Sequence, residues 1–544
     1  MPPWSAACTG PRQQGEADTR AGRPAPARTV ASAQPGKRRG EGMAAARARY
    51  VAGLVGAMER YGDRPALGSG GEVLDFTGLL VRVHRLAGEL ADRGVGRGTG
   101  LACVFGRNRT EVVQLRLAAH VLGARLTQVV ADPYTSGLDF VLRDCRPALV
   151  VHDTPVPAPA AGARLLALDT LLRAADARDP VPVPVAARED DVARVAYTGG
   201  TTGVPKGVAT TFRALAARTD GRATRDRGEP PTYVSVTSLA QRAGGRCLEQ
   251  LRAGGRTEVL AAFDPREFAA ACRRLAPAAS YLMPGMLYRL LDDPATADGI
   301  PGLGVISYGA APVLPERLRE AVTRWGGRWQ QGYGMNESAV ICRLTPADHD
   351  AAVTGRPDLL TSVGRPAAGV EVEVRDPQGL PLPAGRTGEV WTRSAAVMSG
   401  YWGRPDLTAA VLRDGWLRTG DLGHTDAAGY LHLDDRLADA VMVDGDNVYC
   451  LPVEAALARH PAVARAAVVG RTGGAAGEEV CAFLVPAAGR TPDASAAAEA
   501  CDLVERTLAP AYRPTAVFWR EDIPLTPLGK PDKRLLREEA SARR

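Results

Sequence analysis

The 544-residue sequence lacks the usual marks of secreted, disulfide-bonded and membrane-spanning proteins. Its nine cysteines are an odd number, widely scattered, and include no C-x-x-C pair, which argues against a disulfide framework and a zinc site. No apolar run reaches the roughly 18 residues that a membrane span needs. Because residues 1–42 contain no apolar signal-peptide core, secretion is not expected either. These absences predict a protein of the reducing cytoplasm with no membrane span.

Lysine is also scarce, since only four of the 67 basic residues are lysine: Lys37, Lys206, Lys530 and Lys533. A GC-rich coding bias explains the scarcity, but not why Lys206 and Lys530 lie in loops marked by glycine and proline. A compact ammonium meets a phosphoryl oxygen as a point charge, which a planar guanidinium does not replace. We therefore expect these two lysines to be functional. The net charge of +6 is mild and dispersed, so nucleic-acid binding has no support.

Patterning divides the chain into a tail and two domains. Residues 1–42, rich in Pro, Gly, Arg and Ala, are interpreted as a disordered tail or a mis-assigned start. Strand-like and helix-like stretches then alternate, which predicts α/β layers around parallel sheets, and short strands with Gly/Pro/Asp turns follow. We expect an α/β fold, with a large N-terminal domain of layered parallel sheets, helices and a small β-rich subdomain over 43–435. A small, mobile α+β C-terminal domain is expected over 436–544.

The stretch "YTGGTTGVPKG", Tyr197–Gly207, combines four glycines, three threonines and one lysine. Backbone N–H groups of glycine-rich turns form concavities for anions, and hydroxyls with a lysine complete such a site. Most glycine-rich loops are ordinary surface loops, which is the alternative. The phosphate-binding motif G-x-x-x-x-G-K-[ST] is excluded, because it requires glycine before the lysine and serine or threonine after it, whereas Lys206 follows Pro205 and precedes Gly207. The loop by itself indicates a phosphate site and leaves the class of enzyme open.

Six separated stretches carry the motifs of the chain: "YTGGTTGVPKG", "SYGAAP", "QGYGMNES", "GYWGRPDLT…DGWLRTGDLG", "DRLADAVMVDGDNVY" and "PLTPLGKPDKRLLRE". Together and in this order they resemble the adenylate-forming superfamily, which comprises acyl- and aryl-CoA synthetases, adenylation domains of nonribosomal peptide synthetases, and luciferases. The resemblance covers about residues 45 to 540. One departure is Asn336, which stands where the family usually has threonine.

The resemblance implies a ligase that first joins a carboxylic acid to the α-phosphate of ATP. Lys206 would neutralise the outer phosphates, and Glu337 would ligate Mg²⁺, a cation that takes carboxylate and phosphate oxygens. Lys530 would reach the transferring phosphoryl group from the C-terminal domain. Tyr333 would lie against adenine. The residues implied to contact ATP or AMP are Thr198, Gly199, Gly200, Thr201, Thr202, Gly203, Gly309, Ala310, Ala311, Gln331, Gly332, Tyr333, Gly334, Asn336, Asp421 and Arg436.

Taken singly, these residues have ordinary alternatives. Asp421 and Glu337 alone read as solvated loop acids, Tyr333 as core packing, and Lys530 as a mobile tail lysine. The collective match of six motifs, and no single residue, favours the functional interpretation.

The second half-reaction of the family follows a rotation of the C-terminal domain, and here the chain departs from the pattern. Ala438 occupies the hinge position where the family usually has lysine or aspartate. Ser238 and Gln241 stand where proline and an aromatic residue or histidine are usual near the acyl pocket. Drift in a tolerant loop explains these changes, and so does a changed acceptor.

We therefore expect an ATP- and Mg²⁺-dependent ligase that forms an acyl- or aryl-adenylate and passes the acyl group to CoA. A second hypothesis keeps the adenylation and changes the acceptor to a carrier-protein thiol or an amine. Its variant activates nitrite to diazotise an aromatic amine in specialised metabolism. A third is a non-catalytic nucleotide-binding relative. Candidate residues for the acid pocket are Gln241, Met283, Tyr308 and Met335.

Overall fold

The computed structural model describes residues 47–130, 137–156, 163–198, 205–220, 230–296, 299–437, 439–443, 446–474, 477–526 and 531–543. The predicted tail, residues 1–42, lies outside these ranges. No helix within the described ranges combines the length and the apolar character of a membrane span.

The strands are β1 (Pro65–Ser69), β2 (Glu72–Asp75), β3 (Gly100–Phe105), β4 (Arg125–Val130), β5 (Leu149–His152), β6 (Arg164–Ala167), β7 (Val192–Thr198), β8 (Lys206–Thr211), β9 (Thr232–Ser235), β10 (Thr257–Val259), β11 (Ala278–Leu282), β12 (Leu303–Gly309), β13 (Arg328–Met335), β14 (Ala339–Leu344), β15 (Arg365–Pro366), β16 (Glu371–Arg375), β17 (Gly388–Arg393), β18 (Gly400–Tyr401), β19 (Leu412–Arg413), β20 (Trp416–Thr425), β21 (Leu431–Arg436), β22 (Val441–Val443), β23 (Asp446–Val448), β24 (Val463–Gly474), β25 (Gly477–Pro486) and β26 (Ala516–Trp519).

The α-helices are α1 (Arg49–Tyr61), α2 (Phe76–Asp92), α3 (Thr110–Val121), α4 (Leu138–Cys145), α5 (Leu168–Asp176), α6 (Phe212–Asp220), α7 (Arg242–Arg252), α8 (Pro265–Arg274), α9 (Pro284–Asp292), α10 (Pro315–Trp325), α11 (Pro346–Thr354), α12 (Pro405–Val411), α13 (Cys450–Leu457), α14 (Ala494–Thr507) and α15 (Lys533–Ala542). Short 3₁₀ helices span Pro294–Thr296, Pro357–Thr361 and Pro510–Tyr512.

Two large sheets form the body of the N-terminal domain. One has nine strands in the order β15-β14-β13-β12-β11-β9-β10-β1-β2, and the other has seven in the order β18-β8-β7-β4-β3-β5-β6. The strands from β13 to β1 in the first, and from β7 to β6 in the second, are parallel, while the edges are antiparallel. Parallel strands need helical crossovers, which matches the alternation of the sequence.

The main core lies between helices α1, α2, α3 and α7 and strands of both sheets. Helix α3 is buried on nearly every side, because ten of its twelve residues are buried, including Arg116 and His120. Such a helix belongs to the centre of a large domain. A second core packs α8 to α11 against the nine-stranded sheet, around the buried Trp329.

Two five-stranded sheets complete the chain. β16, β17, β20, β19 and β21 form an antiparallel sheet, and β22 to β26 form the sheet of the small C-terminal domain. In that domain α13 and α14 pack on one face, and α15 contacts β24. The predicted architecture of layered parallel sheets, a β-rich subdomain and a small α+β domain is thus confirmed.

Candidate active site

The hairpin of β13 and β14 places Asn336 and Glu337 at one end of the nine-stranded sheet, in the connection between the two strands. Ala339 has a φ of 65°. A Cβ added to Gly334 would lie 1.9 Å from the carbonyl oxygen of Ala339. Since only glycine tolerates this close approach, the sequence specifies a tight turn that presents the two polar side chains to the site.

The "SYGAAP" turn follows β12 beside this hairpin. Gly309 has a φ of 150° and pairs with Gly332 of β13. A Cβ on Gly309 would lie 2.5 Å from the Gly332 carbonyl oxygen. Ala310, at a φ of 72°, turns the chain away, and Ala311 follows. The two strands present a surface with little side chain, which fits a flat ring such as adenine. Gln331, the neighbour of Gly332, is 8% exposed.

A buried carboxylate lies at the second wall of the site. Asp421 is 5% exposed, and its Oδ2 accepts a hydrogen bond of 2.6 Å from the Tyr333 hydroxyl. Arg436 is paired with it across β20 and β21, with Nε 3.2 Å from Oδ1. The charge of Asp421 raises the pKa of Arg436, and burial followed by the same charge raises the pKa of Tyr333. A carboxylate held in this way suits sugar hydroxyls, which donate hydrogen bonds.

Tyr401 connects the hairpin acid with the loop lysine. Its hydroxyl donates to Glu337 Oε1 at 3.1 Å, and the Lys206 ammonium nitrogen lies 5.6 Å from the centre of its ring. β18, which carries Tyr401, pairs with β8, which begins at Lys206. The Met398 N–H also donates to the Glu337 carbonyl oxygen at 2.6 Å. Tyr401 is therefore a shared neighbour of a carboxylate, which suits Mg²⁺, and of an ammonium, which suits phosphate oxygens.

Arginine side chains hold the Asn336 end of the hairpin. Asn336 Oδ1 lies 3.4 Å from Arg194 Nη2, its backbone oxygen accepts from Arg218 at 3.0 Å, and its Nδ2 lies 3.4 Å from Gln241 Oε1. Burial, reinforced by neighbouring guanidiniums, lowers the pKa of Arg194 to about 9, and burial lowers that of Arg218 to about 10. Both remain cations at neutral pH. A threonine could not span these partners, so asparagine fits this chain.

Sequence reasoning missed Tyr401, Arg194 and Arg218. Tyr401 lies inside the matched "GYWGRPDLT" stretch, so the motif itself was a usable signal. Arg194 was signalled by a lone charge within the apolar run "VARVAY" of β7. Arg218 had no local signal, because its partners, the backbone oxygens of Asn336 and Ala396, are distant in the sequence.

The structure places the four predicted acid-pocket residues in different surroundings. Gln241 reaches the site through Asn336. Tyr308 lies in the second core, where it is 1% exposed and its hydroxyl is 2.9 Å from His349 Nε2. Met335 packs against a small apolar cluster of Val208, Met398 and Leu417. Met283 is the half-buried residue that precedes α9.

Several predicted residues lie outside the described part of the chain. They are Gly199, Gly200, Thr201, Thr202 and Gly203 of the phosphate loop, the hinge residue Ala438, and Lys530. Thr198 is the last residue of β7 and pairs with Lys206.

Glycines at the ends of β12 and β13, the buried carboxylate of Asp421, and the Glu337 carboxylate and Lys206 ammonium on either side of Tyr401 are features that suit a nucleotide-binding site. Residues 55–402 match the AMP-binding enzyme family, and residues 452–530 match the AMP-binding enzyme C-terminal domain. The chain therefore belongs to the AMP-binding enzymes, the adenylate-forming superfamily. It is an ATP-dependent acid ligase.

Three similar proteins have names that state different products. The chain is 33% identical to the medium/long-chain-fatty-acid–CoA ligase FadD8 of Mycobacterium tuberculosis, over 89% of each chain. It is 30% identical to the fatty acid–[acyl-carrier-protein] ligase ScoC of Streptomyces coeruleorubidus, over 87% of this chain and 93% of that one. The structure of the amide bond synthetase McbA from Marinactinospora thermotolerans is similar with a TM-score of 0.79 and 34% identity, covering 90% and 99% of the two chains.

Proposed function

We propose that this enzyme binds ATP with Mg²⁺ at the β12–β13 edge and joins an organic acid to the α-phosphate, releasing pyrophosphate. The adenine would lie on the turn Gly309–Ala311, and the ribose hydroxyls would donate to Asp421. Glu337 would hold Mg²⁺ beside the phosphates, and Lys206 would neutralise part of their charge. The observation that carries the proposal is that Tyr333 and Arg436 hold the buried Asp421 carboxylate in a fixed position, because an oriented carboxylate accepts hydrogen bonds from the two neighbouring hydroxyls of a ribose.

Glu337 is suited to the metal. It is 6% exposed, and the Tyr401 hydroxyl donates a hydrogen bond to one of its carboxylate oxygens, Oε1. A buried carboxylate with remaining lone pairs is a hard oxygen ligand of the kind that Mg²⁺ prefers. When bound, the ion supplies charge neutralisation at the phosphate oxygens.

For the reaction to occur, side chains of the protein must allow the carboxylate of the acid to approach the negatively charged phosphates of ATP. Lys206 and the arginines around Asn336 lower the repulsion between an incoming carboxylate and the phosphates. Asn336 would hold the β13–β14 hairpin rigid through its contacts with Arg194 and Gln241. The hydrogen-bond donors of the hairpin would then keep fixed positions. Lys530, by resemblance, would stabilise the charge that develops on the transferring group. Such interactions are stronger in the transition state than in the ground state, which is what accelerates the reaction.

The test is ATP binding and ATP–pyrophosphate exchange by Asp421 variants. Asp421→Ala removes the acceptor of the ribose hydroxyls and leaves Arg436 unpaired, so we expect the Kd for ATP to rise about tenfold to a hundredfold. Asp406→Ala, at an exposed position of α12, is the control and should bind ATP as the wild type does. Unchanged ATP affinity in Asp421→Ala would contradict the assignment.

For the second step we propose transfer of the acyl group to CoA, as the name of the similar FadD8 states for that enzyme. The similarity to the amide bond synthetase McbA specifically favours a second candidate, in which an amine accepts the activated acid. In either case the C-terminal domain, which we propose to begin at Arg436, would rotate about Ala438 and present a different face to the adenylate.

Product analysis separates these acceptors. The enzyme is incubated with ATP, Mg²⁺ and pools of fatty acids, aryl acids, aminobenzoates and nitrite, with and without CoA, and products are identified by mass spectrometry. Thioesters that require CoA support the first candidate. AMP release without CoA, with amides when amines are supplied, supports the second. Lys530→Ala should abolish adenylate formation with either acceptor, and if it did not, the non-catalytic alternative would gain ground.

We also propose that the enzyme works in the cytoplasm. The eight cysteines of the described chain are free and buried. Unpaired thiols persist in a reducing compartment, where ATP and CoA are also available.

A further inference from the structure

A group of polar side chains surrounds one face of α7, next to the nucleotide site. We name it the distal arginine site, and it consists of Tyr233, Arg242, Arg246, Tyr281, Ser307 and Gln330. Arg242 and Arg246 are one helical turn apart and therefore lie on the same face of α7. The Arg242 guanidinium lies 5.2 Å from the centre of the Tyr281 ring, and that of Arg246 lies 5.9 Å from the centre of Tyr233.

The site adjoins the proposed adenylate position. A Cβ on Gly332 would lie 3.4 Å from Arg242 Nη2, and a Cβ on Gly309 would lie 3.5 Å from the Tyr281 hydroxyl. Both glycines belong to the paired ends of β12 and β13, where we propose that the nucleotide binds. Arg242 and Tyr281 therefore lie against the ends of β12 and β13, beside the proposed position of the nucleotide.

Donors outnumber acceptors at this site. Ser307 Oγ accepts hydrogen bonds of 2.7 Å from both Arg246 Nη2 and Gln330 Nε2, so its own proton remains to be donated. Ser307 is 5% exposed. The Glu249 carboxylate lies 4.0 Å from Arg246, which is a loose ion pair.

Two groups here are buried without partners. Arg242 Nε has no hydrogen-bond partner within the described residues, and neither has the hydroxyl of Tyr233, although Tyr233 is only 4% exposed. Buried polar groups in native proteins are nearly always satisfied, so each exception needs an explanation. A negatively charged ligand that accepts hydrogen bonds would satisfy the Arg242 guanidinium and the hydroxyl groups of Tyr233 and Ser307.

We infer that the distal arginine site binds a second carboxylate of the acid substrate, so that the enzyme activates a dicarboxylic acid. This inference rests on the proposed function, since it concerns the acid that the same site adenylates. One carboxylate of the substrate reacts at the α-phosphate, and the other is held by Arg242 with Ser307 and Arg246. A planar guanidinium matches carboxylate geometry better than an ammonium does.

The first measurement compares ATP–pyrophosphate exchange with glutarate, adipate and phthalate and with their monomethyl esters. Each ester keeps the reacting carboxylate and masks the second. We expect kcat/KM to be at least about tenfold higher for the diacids, which is the loss expected when a charge-assisted hydrogen bond is removed. Arg242→Gln should reduce this preference about tenfold or more, mainly through the KM of the diacid. Arg242→Lys, which keeps the charge, should restore part of it.

Controls keep the result interpretable. Arg266→Gln, at an exposed position of α8, should retain the diacid preference. A direct readout is the melting temperature of the enzyme with a non-hydrolysable ATP analogue, which diacids should raise in the wild type and not in Arg242→Gln. Equal exchange with diacids and esters, or a preference that survives Arg242→Gln, would overturn the inference and leave the proposed function intact.

Two other outcomes are also decisive. Exchange that is supported by nitrite and lost in Arg242→Gln would show that the arginine site takes a small inorganic oxyanion, which overturns the assignment to a second carboxylate. If no acid supports exchange while ATP still binds, the proposed function itself fails and this inference fails with it.

Discussion

Tyr401 shows how one hydroxyl can organise charges that belong to different elements. Its ring lies beside Lys206, and its O–H donates to Glu337. Burial, together with the Glu337 charge, raises the pKa of the Tyr401 phenol, so it remains a donor throughout the physiological range. The hydrogen bond occupies one oxygen of Glu337 and fixes the direction of the other. Tyr401 is therefore a positioning residue for the proposed metal ligand.

Tyr401→Phe tests that role, because it removes the hydroxyl and keeps the ring. We expect the Mg²⁺ concentration for half-maximal ATP–pyrophosphate exchange to rise about tenfold, as expected when a hydrogen bond to a charged group is lost. The melting temperature should change little. The matched control is Tyr430→Phe, which removes a similar hydroxyl–carboxylate bond, to Asp348, on another surface. Identical Mg²⁺ dependence in wild type and Tyr401→Phe would refute the positioning role.

Single residues were predicted unevenly from the sequence, for a physical reason. Asp421 and Glu337 could be located in the sequence because each lies in a short, characteristic motif. Arg218 could not, because it acts through contacts with backbone oxygens more than 100 positions away along the chain. The surroundings of Tyr308 could not be predicted either, because a strand residue next to a turn can face either side of the sheet, and its side chain contacts His349.

At the level of elements, the β13–β14 hairpin carries the site. The pairing register shifts between Tyr333 and Gly334, and the strand then approaches β14 so closely that a Cβ at Gly334 would overlap the Ala339 carbonyl. This irregularity lets Tyr333 turn toward Asp421 while Glu337 lies near Tyr401. Bulges that aim functional side chains are a recurring device of sheets.

Gly334→Ala should therefore damage the site through the backbone. Forcing a methyl group into this contact is expected to destabilise the protein by about 1–3 kcal/mol and to lower the melting temperature. ATP affinity should fall as well. Gly285→Ala is the matched control, because no atom lies within 4 Å of its added Cβ and the residue is in α9, where alanine favours the helix. A Gly334→Ala enzyme with wild-type melting temperature and ATP affinity would contradict this account of the hairpin.

Elements were more predictable than side-chain contacts. The stretch "GVISYGAAP" predicts a strand followed by a turn, and β12 ends at Gly309 as expected. Likewise "RTEVVQLRLAAHVLGA" predicts a helix, which is α3. Alternation and helical periodicity are local properties of the sequence, so they indicate elements directly. The order of strands within each sheet depends on contacts between distant elements and could not be derived that way.

At the scale of the whole molecule, one buried carboxylate connects β21 with the start of α13. Asp435 is 2% exposed and lies near the end of β21, where it accepts a hydrogen bond of 2.7 Å from the Arg436 N–H. It also accepts from the N–H of Cys450, at the start of α13. Nearby, Lys533 of the small domain pairs with Glu454 at 3.0 Å. The hydrogen bond between Asp435 and Cys450 therefore spans the boundary that we propose between the two domains.

This buried carboxylate predicts a specific pH dependence of stability. Burial raises the pKa of Asp435 to about 6, against the opposing charge of Lys533. A raised carboxyl pKa means that the folded state holds the proton more tightly than the unfolded state. The stabilising contribution of Asp435 is therefore complete below about pH 4 and is lost as the pH rises through 6. Two pKa units correspond to about 3 kcal/mol of unfolding free energy.

Asp435→Asn removes this titration and keeps the side-chain volume. The stability of the wild type minus that of Asp435→Asn should fall by up to about 3 kcal/mol between pH 4 and pH 7, as measured by denaturant unfolding at each pH. As a control, the unfolding free energy of Asp406→Asn, at an exposed position, should change with pH in the same way as that of the wild type across this range. A constant difference between wild type and Asp435→Asn would mean that the carboxylate is already ionised at pH 4. The falling difference, in contrast, would mean that ionisation of the buried Asp435 carboxyl destabilises the folded protein as the pH approaches neutrality.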